Sequence, residues 1–251
     1  MRVTSIFIAL FFSSFFFSQE IGKNEQLSID FFVAVKNNQT EIADKLADKL
    51  AEINKDNLQS ELNDDKKILA FWLNIYNTNV QYILKKDPAK FNDRGAFFKA
   101  KQITIAGEVL SFDIIEHGIL RKSKSKLSLG YISKIRVSKF ERKMRIKRVD
   151  PRIHYALNCG ALSCPPIVPY HSLVIDKELD VSVKDYLEKY CIVGEKEIQL
   201  PVLFSWFRAD FGGKRGIRKF LIYYGIIQKD AGNKELKFLD YNWTLALNPY
   251  K

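Results

Sequence analysis

Residues 150–166 read DPRIHYALNCGALSCPP and bring His154, Cys159, Ser163 and Cys164 into one short run. The chain has three His and three Cys, so this run holds a third of its imidazoles and two thirds of its thiols. A thiol beside an imidazole suggests nucleophilic catalysis: the thiolate attacks and the His makes it and shuttles its proton. Such a site also needs a group to orient the imidazole and donors for a developing oxyanion. Cys159 is the candidate nucleophile, with His154 or His117 as base. Glu116, Asp150 or Asn74 could orient the base. Asn77 or the backbone amides of Gly160 and Ala161 could serve the oxyanion, and Gly160 lets the backbone approach a substrate closely. The expected chemistry is a cysteine-dependent hydrolysis or acyl transfer on an amide or thioester. Arg121, Arg152, Ser163 and Cys164 complete the candidate substrate-binding residues. Arg152 is alternatively a salt-bridge partner for Asp150 or Glu116.

The same residues admit plainer readings. Cys159 and Cys164 could bridge as a staple, or Cys164 could pair with Cys191 and leave Cys159 free. With three Cys, at least one thiol is left over. All three could instead be buried and inert. A metal site from His117, His154, Cys159 and Cys164 is disfavoured, because H-x4-C-x4-C is not a zinc spacing. No cofactor is implied.

Around this run the sequence predicts an α+β domain with helices on a small, mostly antiparallel sheet. Apolar spacing from about Asn24 to Asn54 predicts two helices broken near Asn37-Asn38. Another starts after Asn63 or Asp64 and runs to about Lys85. From Ile68 to Leu84 it carries no charge, so it is expected to be buried on most sides. Its amides Asn74, Asn77 and Gln81 either tie loops to the helix or point into a cleft. Gln102 to Leu110 reads as a hairpin turning at Ala106-Gly107. Ser111 then caps a helix to about Arg121 that carries Glu116-His117. Ile153 to Leu157 reads as a strand, on which positions 154 and 159 would face opposite ways unless the chain turns at Asn158 to Gly160. Further on come helices at Asp176 to Tyr190, Val202 to Phe211 and Gly216 to Tyr224. Strands are expected at Cys191 to Val193, Glu197 to Leu200 and Phe238 to Leu245.

The net charge of +11 is local. Twelve Lys/Arg and one acid, Glu141, lie between Arg121 and Arg148, and outside this segment bases and acids balance at 28 each. The segment is either a solvated insertion or a surface for an anionic lipid or glycan of the cell envelope. No nucleic-acid motif is present. Met1-Arg2, the apolar run from Val3 to Phe17 and the polar Ser18-Gln19-Glu20 read as a secretory signal peptide cut near Ser18. That implies an exported, periplasmic or secreted protein of one domain, residues 19–251. With no Cys in the first 20 positions, a lipoprotein is not expected.

Four blocks resemble the domain-of-unknown-function family DUF547: FWLNIYN at 71–77, DIIEHGILR at 113–121, the 150–166 run, and FSWFRADF at 204–211 with Tyr241-Asn242-Trp243. The resemblance implies an exported bacterial version of a domain also found in plants, with a fold similar to papain-like or transglutaminase-like thiol enzymes. The basic insertion is larger than the family usually carries, and Asn242 stands where many relatives have Asp.

Overall fold

The computed structural model describes residues 20–126, 129–230 and 234–251. The expected signal peptide lies outside the described residues. No helix among those described is long and apolar enough to cross a membrane.

Helix α1 (Lys23–Lys36) and helix α2 (Thr40–Glu52) break at Asn37-Asn38, where Asn38 takes φ 56°. A short α3 (Lys55–Glu61) follows. Helix α4 (Asp65–Lys86) is the centre of the molecule. Asp64 caps it by accepting from the Lys66 and Lys67 amides. Ile68 through Gln81 are all buried, because α4 has neighbours on every side. A 3-10 helix (Pro88–Asp93) and α5 (Arg94–Lys99) lead into the hairpin β1 (Ile103–Ile105) and β2 (Glu108–Leu110). Ala106 (φ 51°) and Gly107 (φ 71°) form its turn.

The buried amides of α4 are clamps. Asn77 donates to Ala156 O at 2.8 Å and accepts from Asn158 N at 2.8 Å. Asn74 donates to Tyr170 O at 2.9 Å and accepts from Tyr170 N at 2.8 Å. Irregular backbone on both sides of the Cys159 loop is thereby satisfied by one helix. Asn77→Ala strands a buried carbonyl and a buried amide, which costs about 2–4 kcal/mol. Urea unfolding measures this, and a loss below about 0.5 kcal/mol would show that the clamp is dispensable.

Beyond the hairpin the chain departs from several expectations. Ile114–Leu120 is a π-helix instead of an α-helix. At Gly118 an added Cβ would meet the Glu141 carboxyl carbon at 2.6 Å, so the wider helix is packed tightly on the basic segment. That segment includes helix α6 (Lys139–Met144) and sends Phe140, Met144 and Ile146 into the main core. The expected strand at Ile153 to Leu157 is a 3-10 helix (Pro151–Tyr155). Asp150 caps it through Arg152 N, and Pro151 at its first position presets φ. Its apolar residues are buried on all sides, so they carry no periodicity to tell helix from strand.

Helix α7 (Ile175–Tyr190) packs on this 3-10 helix and on α4. Strands β3 (Ile192–Val193), β4 (Glu197–Pro201) and β5 (Glu235–Leu239) form one sheet, with β3 antiparallel and β5 parallel to β4. The expected terminal strand therefore falls earlier than Phe238 to Leu245. Of the helix expected at Val202 to Phe211, only α8 (Leu203–Trp206) forms, and α9 spans Gly213–Tyr223. The architecture is α+β. One core surrounds α4; a second, aromatic core joins Tyr155, Phe204 and Phe211 to β4, α7 and α9. Tyr241 packs against both.

Candidate active site

A cavity of about 330 Å³ lies where α4, the π-helix, the Cys159 loop and the tail meet. Its walls are largely aromatic: Tyr76, Phe98, Trp206, Phe207, Tyr241 and Trp243. Into this apolar surround open Asp113, Glu116, His117, Arg121, Lys126, His154 and Cys159. A few convergent polar groups on an apolar wall are the usual make-up of a small-molecule site.

Asp210 organises the polar floor. Its side chain is fully buried, and Oδ2 accepts from Arg121 Nε at 2.6 Å and from His154 Nε2 at 2.9 Å. Arg121, 1% exposed, also donates from Nη1 to His117 Nδ1 at 2.8 Å, the one-turn pairing of positions 117 and 121. Arginine only donates, so His117 carries its proton on Nε2. The His154 ring stacks on Phe207 with centroids 3.8 Å apart. Gly130 sits against this network with φ 87°; a Cβ there would meet Arg121 Nη2 and Asp210 Oδ1 at 2.7 Å each.

Burial lowers the His154 pKa to about 4 and outweighs the opposing pull of Asp210. Burial, then the Arg121 and Lys126 charges, push His117 well below its ordinary value. Asp210 is held low despite its burial by hydrogen bonds from His154 and Arg121. The floor at neutral pH is thus two uncharged imidazoles and one Arg–Asp ion pair. Burial also raises the Glu116 pKa, against the lowering effect of Arg121 and Lys126; its Oε2 accepts from Tyr76 OH at 3.2 Å.

An acid-stability profile follows. Unfolded, His154 titrates near 6.5, and folded, near 4. Below pH 6.5 the unfolded chain takes up the proton first. Stability is present above 6.5 and is lost as pH falls towards 4, by about 3 kcal/mol from His154. His117 acts in the same direction. Urea unfolding at pH 7 and pH 4.5 tests this, with His154→Gln expected to flatten the slope.

Cys159 and Cys164 are free thiols in contact, Sγ to Sγ 2.8 Å. Tyr241 OH lies 3.4 Å from the first and 3.1 Å from the second. Cys164 also accepts the Cys159 amide at 3.0 Å. The hydrogen bond to Cys164, then burial, push the Cys159 thiol well up. Burial opposes ionisation of Cys164 too, but donors from Cys159, Tyr241 and the backbone hold it below its ordinary value. The depressed pKa therefore belongs to Cys164, while the thiol that lines the cavity is Cys159. Among the described residues the Cys159 sulfur is hydrogen-bonded by the Cys164 and Tyr241 side chains and the Ala161 amide, and neither imidazole is among its partners. Cys191 stands apart, its pKa pushed up to about 12 by burial.

Of the residues singled out in the sequence, the cavity gathers Cys159, His154, His117, Glu116 and Arg121. Others do not line it. Asn74 and Asn77 are the clamps already described. Arg152 is held by Asp150, Asp176 and Asp180 at 2.7–3.0 Å. Gly160 faces Leu84, Phe91 and Val80 inside the core. Ser163 Oγ accepts from Asn242 N at 2.9 Å. Cys164 is 8% exposed, behind Cys159. No group of three or more His, Cys, Asp or Glu among the described residues is arranged to hold a metal ion. The residues missed are Asp210 and Tyr241. The only local signal for Asp210 was an acid set in the aromatic run FSWFRADF.

Neither the curated proteins nor the solved structures compared with this chain match it. The family model of DUF547, described as a protein of unknown function, matches residues 59–187, just over half of the 251. That stretch includes α4, the π-helix, the 3-10 helix with His154 and the Cys159 loop. The chain belongs to the DUF547 family.

Proposed function

We propose that this protein is a cysteine-dependent hydrolase or acyltransferase acting on an amide or thioester, exported to the cell envelope or beyond. The observation that supports this reading is that Cys159 and His154, the latter backed by Asp210, open onto one aromatic cavity. His154 donates Nε2–H to Asp210, which leaves Nδ1 as the basic nitrogen. The Cys159 proton passes to Nδ1, directly or through one water, because an unliganded site need not hold its catalytic hydrogen bonds closed. The sulfur then bonds to the acyl carbon, and the tetrahedral oxyanion takes a hydrogen bond from His117 Nε2–H. On collapse the leaving amine or thiol receives the proton from His154. Water or a second nucleophile, deprotonated by the same nitrogen, releases the acyl group.

The direct test is trapping. Reduced protein is incubated with short-chain acyl thioesters and p-nitroanilide amides, quenched in acid, and mapped by mass spectrometry. An acyl adduct on Cys159, absent from Cys159→Ser, is the expected result. Turnover with no adduct, or an adduct on Cys191 alone, overturns the assignment.

A second reading, docking to an anionic envelope component, is favoured by the state of the basic segment. Lys122, Lys139, Arg142, Lys143, Lys147 and Arg148 are exposed and form no salt bridge with a described residue. The two readings use different residues and are compatible.

A further inference from the structure

We infer that residues 129–136, together with the exposed cations of α6, dock the protein onto an anionic lipid bilayer and bring the cavity to the membrane surface. This deepens the docking reading by committing to one partner, and docking as such does not rest on the thiol chemistry.

Residues 123–125 and 132–134 form a short antiparallel ladder. Lys134 N donates to Ser123 O at 2.7 Å, and Ser125 N donates to Ile132 O at 2.8 Å. It is tied to the tail through Ala209 N donating to Leu129 O at 3.0 Å. From this ladder large apolar side chains face water: Tyr131 is 59% exposed, Ile132 62% and Ile135 100%. In the same segment Lys122, Arg136, Lys139, Arg142 and Lys143 are exposed. The single acid of the segment, Glu141, is 4% exposed and meets Lys134 at 3.5 Å. The exposed residues described in this segment therefore include cations and bulky hydrophobics and no carboxylate.

A purely electrostatic partner, such as a sulfated glycan, uses the cations but gives the apolar side chains nothing. A bilayer with anionic headgroups uses both: phosphates meet the Lys and Arg, and the side chains enter the headgroup–acyl boundary. Tyrosine is suited to that interface. The placement also bears on the cavity. Lys126 and Leu129 of the same loop line it, and Gly130 abuts the Arg121–Asp210 pair. A docked loop sets one cavity wall at the lipid surface. If the thiol reading holds, the acyl donor is an amphiphile or a group held close to the bilayer.

The experiment is vesicle co-sedimentation of the full chain and of the chain from Gln19 onward. Vesicles are phosphatidylcholine alone or mixed with phosphatidylglycerol. Binding to the mixed vesicles is expected to exceed binding to phosphatidylcholine alone and to fall on raising salt from about 50 to about 200 mM. Ile132→Ser with Ile135→Ser should weaken it by at least about tenfold. Reversal of Lys139, Arg142 and Lys143 to Glu should abolish it. Both variants alter exposed side chains, and circular dichroism confirms that they fold. No binding to the mixed vesicles overturns the inference. So does equal binding by the Ile double variant, and so does retention on heparin without vesicle binding, which points to a glycan. Repeating the assay with Cys159→Ser keeps docking separate from catalysis, since that variant should bind vesicles as the parent does.

Discussion

Asp210→Asn should lower the unfolding free energy by about 3–5 kcal/mol, read as a shift in the urea midpoint at pH 7 with little change in slope. The reason is what the substitution leaves behind. Arg121 is 1% exposed and keeps its charge, and among the described residues Asp210 is the only acid in a salt bridge with it. Without the carboxylate a guanidinium sits inside the protein with its salt-bridge partner gone. An amide can still accept from His154 Nε2, so the loss is electrostatic more than steric. The control is Arg121→Met with Asp210→Leu, which removes both charges and should recover most of the stability. If the double variant is stable yet inactive on any substrate the parent turns over, the pair exists to hold His154. If Asp210→Asn alone is neutral, the ion pair is not the keystone that its burial indicates.

Cys159→Ser should reduce kcat/KM on a thioester or amide substrate by at least about 10³-fold, with the fold intact. A hydroxyl in that place is much harder to ionise than a thiol, and the resting imidazole has no hydrogen bond to the sulfur with which to compensate. Cys164→Ser separates two roles of the pair. It leaves the nucleophile but replaces the neighbour that holds the Cys159 thiol up, so the pH dependence of iodoacetamide alkylation at Cys159 should move to lower pH. Oxidised protein is expected to be silent, because the two sulfurs already touch and a bridge would consume the nucleophile. Retained turnover in Cys159→Ser would move the chemistry to another group in the cavity.

Several features were legible in the chain alone. The uncharged stretch of α4 and its Asp64 cap, the hairpin turn and the Asn37-Asn38 break each depend on residues within one or two turns of each other. Family membership came from blocks with fixed spacing. What failed was of another kind. The run around His154 is buried on every side, so its apolar residues gave no period by which a 3-10 helix could be told from a strand. The π-helix packs Gly118 against Glu141, a contact across the basic segment that no local pattern encodes. The parallel β4–β5 pairing joins strands with α8 and α9 between them in sequence.

The sequence by itself determined the α+β class, the family, the concentration of charge between Arg121 and Arg148, and the set of groups near His154 able to do chemistry. Tertiary structure decided which of them share a space. Asp210 reaches His154 across 56 positions and Arg121 across 89, and Tyr241 reaches Cys159 across 82. Only folding brings such pairs within 3.5 Å; burial there then keeps the His117 and His154 imidazoles neutral, and hydrogen bonds set which thiol ionises first.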